Sequence, residues 1–424
     1  CVLVHFRMSQ TFRQYKFLSP SCFLAFITLM SFGAYLQPDS GGYIDASPHR
    51  VLLYPLFLRA CFNSNLNVVV AFQLLSGLFS CFYVITCIDK FIEQRLGVFT
   101  QLGLFMALSM PYLGHTLIGN TILTEPLCYP IFLLFFCNLL LWREFGNFKH
   151  FLISVSLGFA LMLTRKQFGY VFATFYIGIF LDLLRIKKIN WREVLVPFMV
   201  FAMALGFEKS YMYFKTGHFI STPSGSFIIA TPLYIAKAND VDLLKTNEQK
   251  QFLRNAIKER NRQKLAMYQE DFGNFSWPYH KKFEVIHDVL RYEITSKALM
   301  DLNLNLDLIE SEKLLSEVTW TVLKNNFSDF LKFYYHNIIN NMGGYYYFFL
   351  ICCAFLVCLW QLVLGQNSFL MNFGLMITSL QFLNFGAVAI FLPVLRRFAI
   401  YSEGLMICFW LLCLHQVIVR KKYD

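Results

Sequence analysis

The sequence predicts an all-α polytopic membrane protein with about ten transmembrane helices, and three observations carry that prediction. Of its 424 residues, 57% are hydrophobic and only 15% charged, against about 25% charged in soluble domains. The mean hydropathy is +0.49. Apolar runs recur along the chain at lengths that suit a hydrocarbon core of roughly 30 Å. They lie near 17–36, 66–88, 97–113, 122–142, 151–164, 168–184, 194–214, 345–364, 369–391 and 399–419. The shorter runs also fit re-entrant segments.

The first run follows basic residues and lacks a small-residue cleavage site before Pro38, as an uncleaved anchor would. The later runs are separated by loops whose charge sets their direction. The net charge is +11. The stretch 215–344 holds 16 Lys and Arg against 15 Asp and Glu, so +10 lies on short loops and ends. Counting spans from a cytoplasmic N-terminus puts Lys90, Arg143, Lys187, Lys188 and Lys421 inside, and the positive-inside rule then favours both termini in the cytoplasm. Charge distributed this way is an orientation signal and not a nucleic-acid footprint. The twelve cysteines are scattered, with no CxxC pair, and read as small apolar residues.

Three regions follow. Residues 1–214 form an N-terminal membrane domain whose first outer loop, 37–65, carries its most polar stretch, "QPDSGGYIDASPHRVLLYPLF". Residues 215–344 form a mostly helical extracytoplasmic insert, and 345–424 supply the C-terminal transmembrane helices. Within the insert, Phe252, Leu253, Ile257 and Leu265 have helical apolar spacing, as do Leu314, Leu315, Val318, Val322 and Leu323. Between them, "FGNFSWPY" reads as a turn.

The same topology places 37–65, 114–121, the insert, Arg165-Lys166 and Arg396-Arg397 on one outer face. Charges at membrane depth cost about 2.5–3.5 kcal/mol and tend to face a cavity or pathway. Asp39 follows Pro38, expected to stop the first helix, and precedes Gly41 and Gly42, expected to turn the backbone. Its carboxylate suits a general base at the boundary, or else an N-cap or Asx-turn residue. Asp45 has the same two readings. His49 and Arg50 begin a segment, 50–62, patterned as an interfacial amphipathic helix in which Arg59 would snorkel. Glu125, just before Pro126, suits the first turn of a helix through the dipole, or else the pocket of Asp39. The outer cations Arg165, Lys166, Arg396 and Arg397 oppose the positive-inside rule, and a lipid-borne phosphate would explain them, as would ordinary interface anchoring. Walker, dinucleotide, HExxH and GxSxG motifs are absent, so a soluble nucleotide donor has no cradle.

Taken in order, "PDSGGYIDASPHRVLLYPLF", "TEPL", "LTRKQFGY", the insert ending in "TVLKNNFSDFLKFYYHNI", and "RRFAIY" resemble the integral-membrane glycosyltransferases of the GT-C superfamily. The protein O-mannosyltransferase and lipid A aminoarabinose transferase groups are nearest in style. The resemblance implies a GT-C-like fold and inverting transfer of a sugar from a polyprenyl-phosphate donor to a glycan, lipid or protein acceptor. The setting it implies is the outer face of a bacterial inner membrane. It also implies that an acid of the first outer loop is the base. Family members often carry two adjacent acids there, whereas Asp39 is followed by Ser40 and the next acid is Asp45, so both stay candidates. Phe398 stands where a tyrosine usually follows the arginine. Asp39 and Glu125 are the catalytic candidates; Asp45, His49, Arg50, Arg165, Lys166, Arg396 and Arg397 are the substrate-binding ones. No cofactor is assigned beyond a candidate divalent cation, and the partners expected are the lipid donor, the acceptor and membrane lipids, with no nucleic acid. The rival readings are a transporter or lipid flippase, a polymerase or ligase of lipid-linked glycans, and a non-catalytic assembly factor.

Overall fold

The computed structural model describes residues 17–61, 65–92, 96–114, 117–186, 190–267, 286–304, 306–366, 368–390, 392 and 396–420. Their regular elements are all helical; among them the one β-type pairing is an isolated parallel bridge between Tyr35 and Thr121. The chain divides into two compact units. One comprises Cys1–Phe219, Cys352–Leu383 and Ile400–Asp424; the other comprises Ile220–Ile351 and Asn384–Ala399. The second unit thus differs by a few residues from 215–344 and includes a C-terminal stretch that composition did not associate with it.

The first unit is built from α1 (Leu18–Met30), α2 (Ser40–Ile44), α3 (Leu53–Cys61), α4 (Leu66–Phe91), α5 (Val98–Leu113), α6 (Glu125–Phe145), α7 (Phe148–Thr164), α8 (Val171–Ile186) and α9 (Trp191–Thr216). Parts of three later helices, described with the second unit, complete it. Each of the ten apolar stretches forms a helix, but six helices are long and apolar enough to cross a membrane among the described residues. The first run is helical for only 13 residues, and α5, α7 and α8 have 16, 17 and 16. At 1.5 Å per residue a 16-residue helix covers about 24 Å, short of a roughly 30 Å core.

Helix α6 is the centre of this unit: 89% of its apolar window is buried, against 17% for α9. It packs chiefly on α7 and α4. Phe132, Phe135, Phe168, Phe175 and Tyr401 mesh around it with no exposure. Tyr112 is wedged so closely that a Cβ on Gly77 would lie 2.2 Å from its ring end, and one on Gly119 would lie 2.6 Å from its ring. Exposed Phe198, Met199, Met203 and Phe207 leave α9 with an apolar outer surface. A water-facing helix would be polar there, so this surface suits lipid. The eleven described cysteines are all free, six of them buried.

The second unit contains α10 (Gly225–Ile228), α11 (Ala230–Ile235), α12 (Asn247–Arg262), a π-helical turn Val289–Ile294, α13 (Thr295–Met300), α14 (Leu308–Asn325) and α15 (Phe327–Asn341). The chain then continues through α16 (Tyr345–Val363), α17 (Phe369–Ala389) and α18 (Arg396–Arg420). The expected apolar stripes are real: Phe252, Leu253, Ile257, Leu314, Leu315, Val318, Val322 and Leu323 line one buried core. Leu265 packs against that core but lies beyond α12, which stops at Arg262. The segment "FGNFSWPY" lies outside the described residues. A break separates α14 from α15 at Asn326, whose side chain donates to Asp240 Oδ2 at 2.7 Å and to the Val322 carbonyl at 3.1 Å. Arg260 is fully buried and donates to the Leu233 and Ala236 carbonyls, closing the C-terminal end of α11.

Candidate functional site

The first loop is held to the turn before α6 by amide side chains. Asn120 Nδ2 donates to the carbonyls of Leu29 at 2.8 Å and Gly33 at 2.7 Å. The Tyr35 amide donates to the Asn120 carbonyl at 2.7 Å, and the Ile122 amide to the Tyr35 carbonyl at 3.0 Å. From α4, the buried Gln73 donates to the carbonyls of Gly119 and Thr121 and accepts from the Tyr54 hydroxyl at 2.9 Å. Buried amide donors paired this way hold the loop, because any shift would leave their N–H groups unpaired.

This clamp corrects two expectations. Helix α1 ends at Met30, eight residues before Pro38, where Asn120 takes up the Leu29 carbonyl and Gly33 adopts φ +69°. Gly41 and Gly42 lie inside the short helix α2 and do not make the turn. The left-handed residue is Ala46, at φ +50°. Gly42 instead leaves room for Arg50, whose Nε lies 3.0 Å from where a Cβ would be.

Two acid–arginine pairs result. Asp39 precedes α2 but makes no side-chain cap bond; its Oδ1 pairs with Arg50 Nη2 at 2.7 Å. Glu125 is the first residue of α6, where the helix dipole favours it. Its Oε1 pairs with Arg165 Nη1 at 2.6 Å, and its Oε2 accepts from the Thr124 hydroxyl at 3.2 Å. Arg165 sits in an extended linkage between α7 and a 3-10 turn, Lys166–Tyr170, and also reaches the Tyr401 hydroxyl at 3.4 Å. The "TEPL", "LTRKQFGY" and "RRFAIY" stretches therefore meet at Glu125, Arg165 and Tyr401.

Tyr43 joins the pairs. Its hydroxyl lies 3.2 Å from Arg50 Nη1, and the Arg50 guanidinium stands 4.3 Å from its ring centre. Burial pushes its phenol up, and the Glu125 carboxylate pushes it further; Arg165 and Arg50 pull it back, as does a hydrogen bond with Thr124. One tyrosine thus feels both ion pairs. Burial disfavours the charge on Arg50, but Tyr43 and Asp39 more than restore it, and its pKa is raised. Tyr54 is held well above the usual tyrosine range by burial and then by Glu125.

The remaining candidates separate. Lys166 Nζ pairs at 3.2 Å with Glu208 of α9. Asp45 caps the end of α2 and is exposed, as is His49; among the described residues neither forms an ion pair. Arg59 is exposed on α3, which spans Leu53–Cys61 and buries Tyr54, Pro55 and Leu58. Arg396 and Arg397 open α18, and their side chains lie outside the described residues. Among the described residues no group of three or more His, Cys, Asp or Glu is arranged to hold a metal ion. With Asp39 and Glu125 each engaged by an arginine, the site does not fit a resident divalent cation.

Comparison of the chain with family models, curated proteins and solved structures finds no match. The site is therefore argued from its own geometry. Sequence reasoning missed Tyr43, Thr124, Tyr401 and Glu208. Glu208 had a signal, a lone carboxylate inside the apolar run 194–214; the other three carry no charge and stand out only once folded.

Proposed function

We propose that the protein is an integral-membrane glycosyltransferase of GT-C type. In this reading about ten helical segments lie in a bacterial inner membrane, and a sugar passes from a polyprenyl-phosphate donor to an acceptor hydroxyl or amine at the outer face. The observation that carries the reading is the gathering of Asp39–Arg50 and Glu125–Arg165 around Tyr43 at one end of the helices. Such a site offers a carboxylate for the acceptor proton beside cations for a departing phosphate.

In the transfer, the acceptor oxygen or nitrogen attacks the anomeric carbon and gives its proton to the Asp39 carboxylate. The bond from that carbon to the phosphate oxygen breaks with inversion, and the electron pair leaves on the polyprenyl phosphate. Arg165 and Lys166 stabilise the growing phosphate charge, while Glu125 keeps Arg165 aimed. Arg50 shields Asp39 until the donor's phosphate competes for the guanidinium. Asp39 is preferred over Asp45 because it belongs to the charge network and Asp45 does not.

The test is incubation of membranes containing the protein with labelled polyprenyl-phosphate sugars, followed by identification of the labelled product. Asp39→Asn should lower transfer by about two orders of magnitude or more, the usual share of a general base, with insertion unchanged. Wild-type transfer in Asp39→Asn would remove it as the base. Failure of every polyprenyl-phosphate sugar to label a product would remove the donor class.

A further inference from the structure

Helix α15 has the wrong outer face for water. Phe327, Leu331 and Tyr335, at i, i+4 and i+8, are 57%, 46% and 53% exposed. Ser328 and Lys332 share that face. The opposite face, with Phe333, Asn337 and Asn341, is buried. A solvated surface helix normally presents charged and polar residues outward.

Its anchorage says where this face lies. Asn337 Nδ2 donates to the carbonyls of Ala389, the last residue of α17, and Leu392, both at 2.9 Å. One turn earlier, the Tyr334 hydroxyl would be 3.2 Å from a Cβ on Gly386. Helix α15 therefore crosses the C-terminal end of a helix long and apolar enough to span a membrane. After Asn341 only Met342, Gly343 and Gly344 intervene before α16, a second such helix. Three residues reach about 10 Å at most. Gly343 and Gly344 have φ +80° and +100°, a sharp reversal that closes α15 with amide bonds to the Asn340 and Ile339 carbonyls. Backbone turned this way lets α15 lie along the surface that α16 enters.

We propose that α15 lies in the lipid interface, with Phe327, Leu331 and Tyr335 seated at the headgroup–acyl boundary and Lys332 among anionic headgroups. The occupant of this face is the bilayer itself. Apolar residues on one stripe with a lysine beside them are what interfacial binding requires, since burial and attraction to acidic lipid add together. The inference rests on the membrane reading of α16 and α17 and not on the transfer chemistry, so failure of the donor assay would leave it standing.

The experiment places a photoreactive benzophenone amino acid at Phe327, Leu331 or Tyr335, one at a time. The full chain is held in nanodiscs of phosphatidylethanolamine and phosphatidylglycerol. Trp360 on α16 and Arg254 on the polar face of α12 serve as lipid and water references. All three positions are exposed, so the substitutions spare the core. Lipid adducts at the three α15 positions should exceed those at Arg254 by about tenfold or more, the partition expected from burying even one such side chain. Adducts no higher than at Arg254, while Trp360 is labelled by lipid, would overturn the proposal. So would cross-links to a second copy of the chain or to another protein.

Discussion

Replacing Glu125 by glutamine keeps its shape and removes its charge, leaving the Arg165 guanidinium without its nearest carboxylate. The side chain of Glu125 is 3% exposed and that of Arg165 17%, so little water can compensate. Breaking a buried ion pair from one side costs about 3–5 kcal/mol; the residual access of Arg165 puts the expected loss near the lower end. The Asp39–Arg50 pair is more open, with Asp39 35% exposed, and an open pair contributes about 1 kcal/mol or less. Two double-mutant cycles measure the contrast, one with Glu125→Gln and Arg165→Met, the other with Asp39→Asn and Arg50→Met. Stability is read from denaturant unfolding in micelles. The first cycle should give a coupling of about 2–3 kcal/mol and the second less than about 1 kcal/mol. The double variant Glu125→Gln/Arg165→Met should be far more stable than Glu125→Gln alone, because no orphaned charge remains. Equal couplings in the two cycles, or a wild-type midpoint for Glu125→Gln, would refute the view that the inner pair is structural and the outer one free to react.

Gly77→Ala should destabilise by about 1–3 kcal/mol, since its Cβ would lie 2.2 Å from Tyr112. Tyr112→Phe should be tolerated and should partly rescue it, because that buried hydroxyl has no hydrogen-bond partner among the described residues; thermal melts of the single and double variants check both points. Arg260→Met should loosen the second unit by about 2–5 kcal/mol, as the Leu233 and Ala236 carbonyls lose their donor, seen as faster amide exchange in α11 and α12. The Glu259 carboxyl is pushed down from 4.5 to about 2 by hydrogen bonds from Arg262, Gln263 and then Lys297. A depressed folded-state pKa gives a contribution that is present above about pH 4.5 and lost as pH falls toward 2. A carbon-13 carboxyl titration should find that low midpoint, and Lys297→Met should raise it.

The apolar helices and the insert's core stripes were legible because helices and their burial follow periods that the sequence repeats: Phe252, Leu253 and Ile257 are inside because a helix must put them there. Ends were less legible. Helix α1 stops at Met30, where Asn120, about ninety residues later, takes the Leu29 carbonyl, and no local signal near Pro38 carries that. A glycine at 42 signals backbone freedom in sequence, whereas in the fold its missing side chain is what matters, because it makes room for Arg50. Pairings were the least legible. Arg50 finds its carboxylate within its own loop, but those of Arg165 and Lys166 come from distant stretches, and a lone acid in an apolar helix, such as Glu208, requires such a partner.

Helix α6 carries a charged pair at each end, and the two differ in what surrounds them. At its C-terminal end Arg143 pairs with Asp182 and donates to the Gly178 carbonyl at 2.9 Å, with its side chain 1% exposed. About 27 Å away along the axis, by the helical rise, Glu125 meets Arg165. Both ends obey the helix dipole, acid first and base last, so electrostatic stability alone would explain either. The C-terminal pair stands alone beside Trp142, with Arg143 buried and Asp182 28% exposed. The N-terminal pair opens through Tyr43 onto Asp39 and Arg50, and Lys166 stands 41% exposed nearby in sequence. Exposure does not separate the two ends; composition does, since among the described residues the N-terminal end sets two carboxylates and two arginines around one tyrosine, whereas the C-terminal end has a single pair.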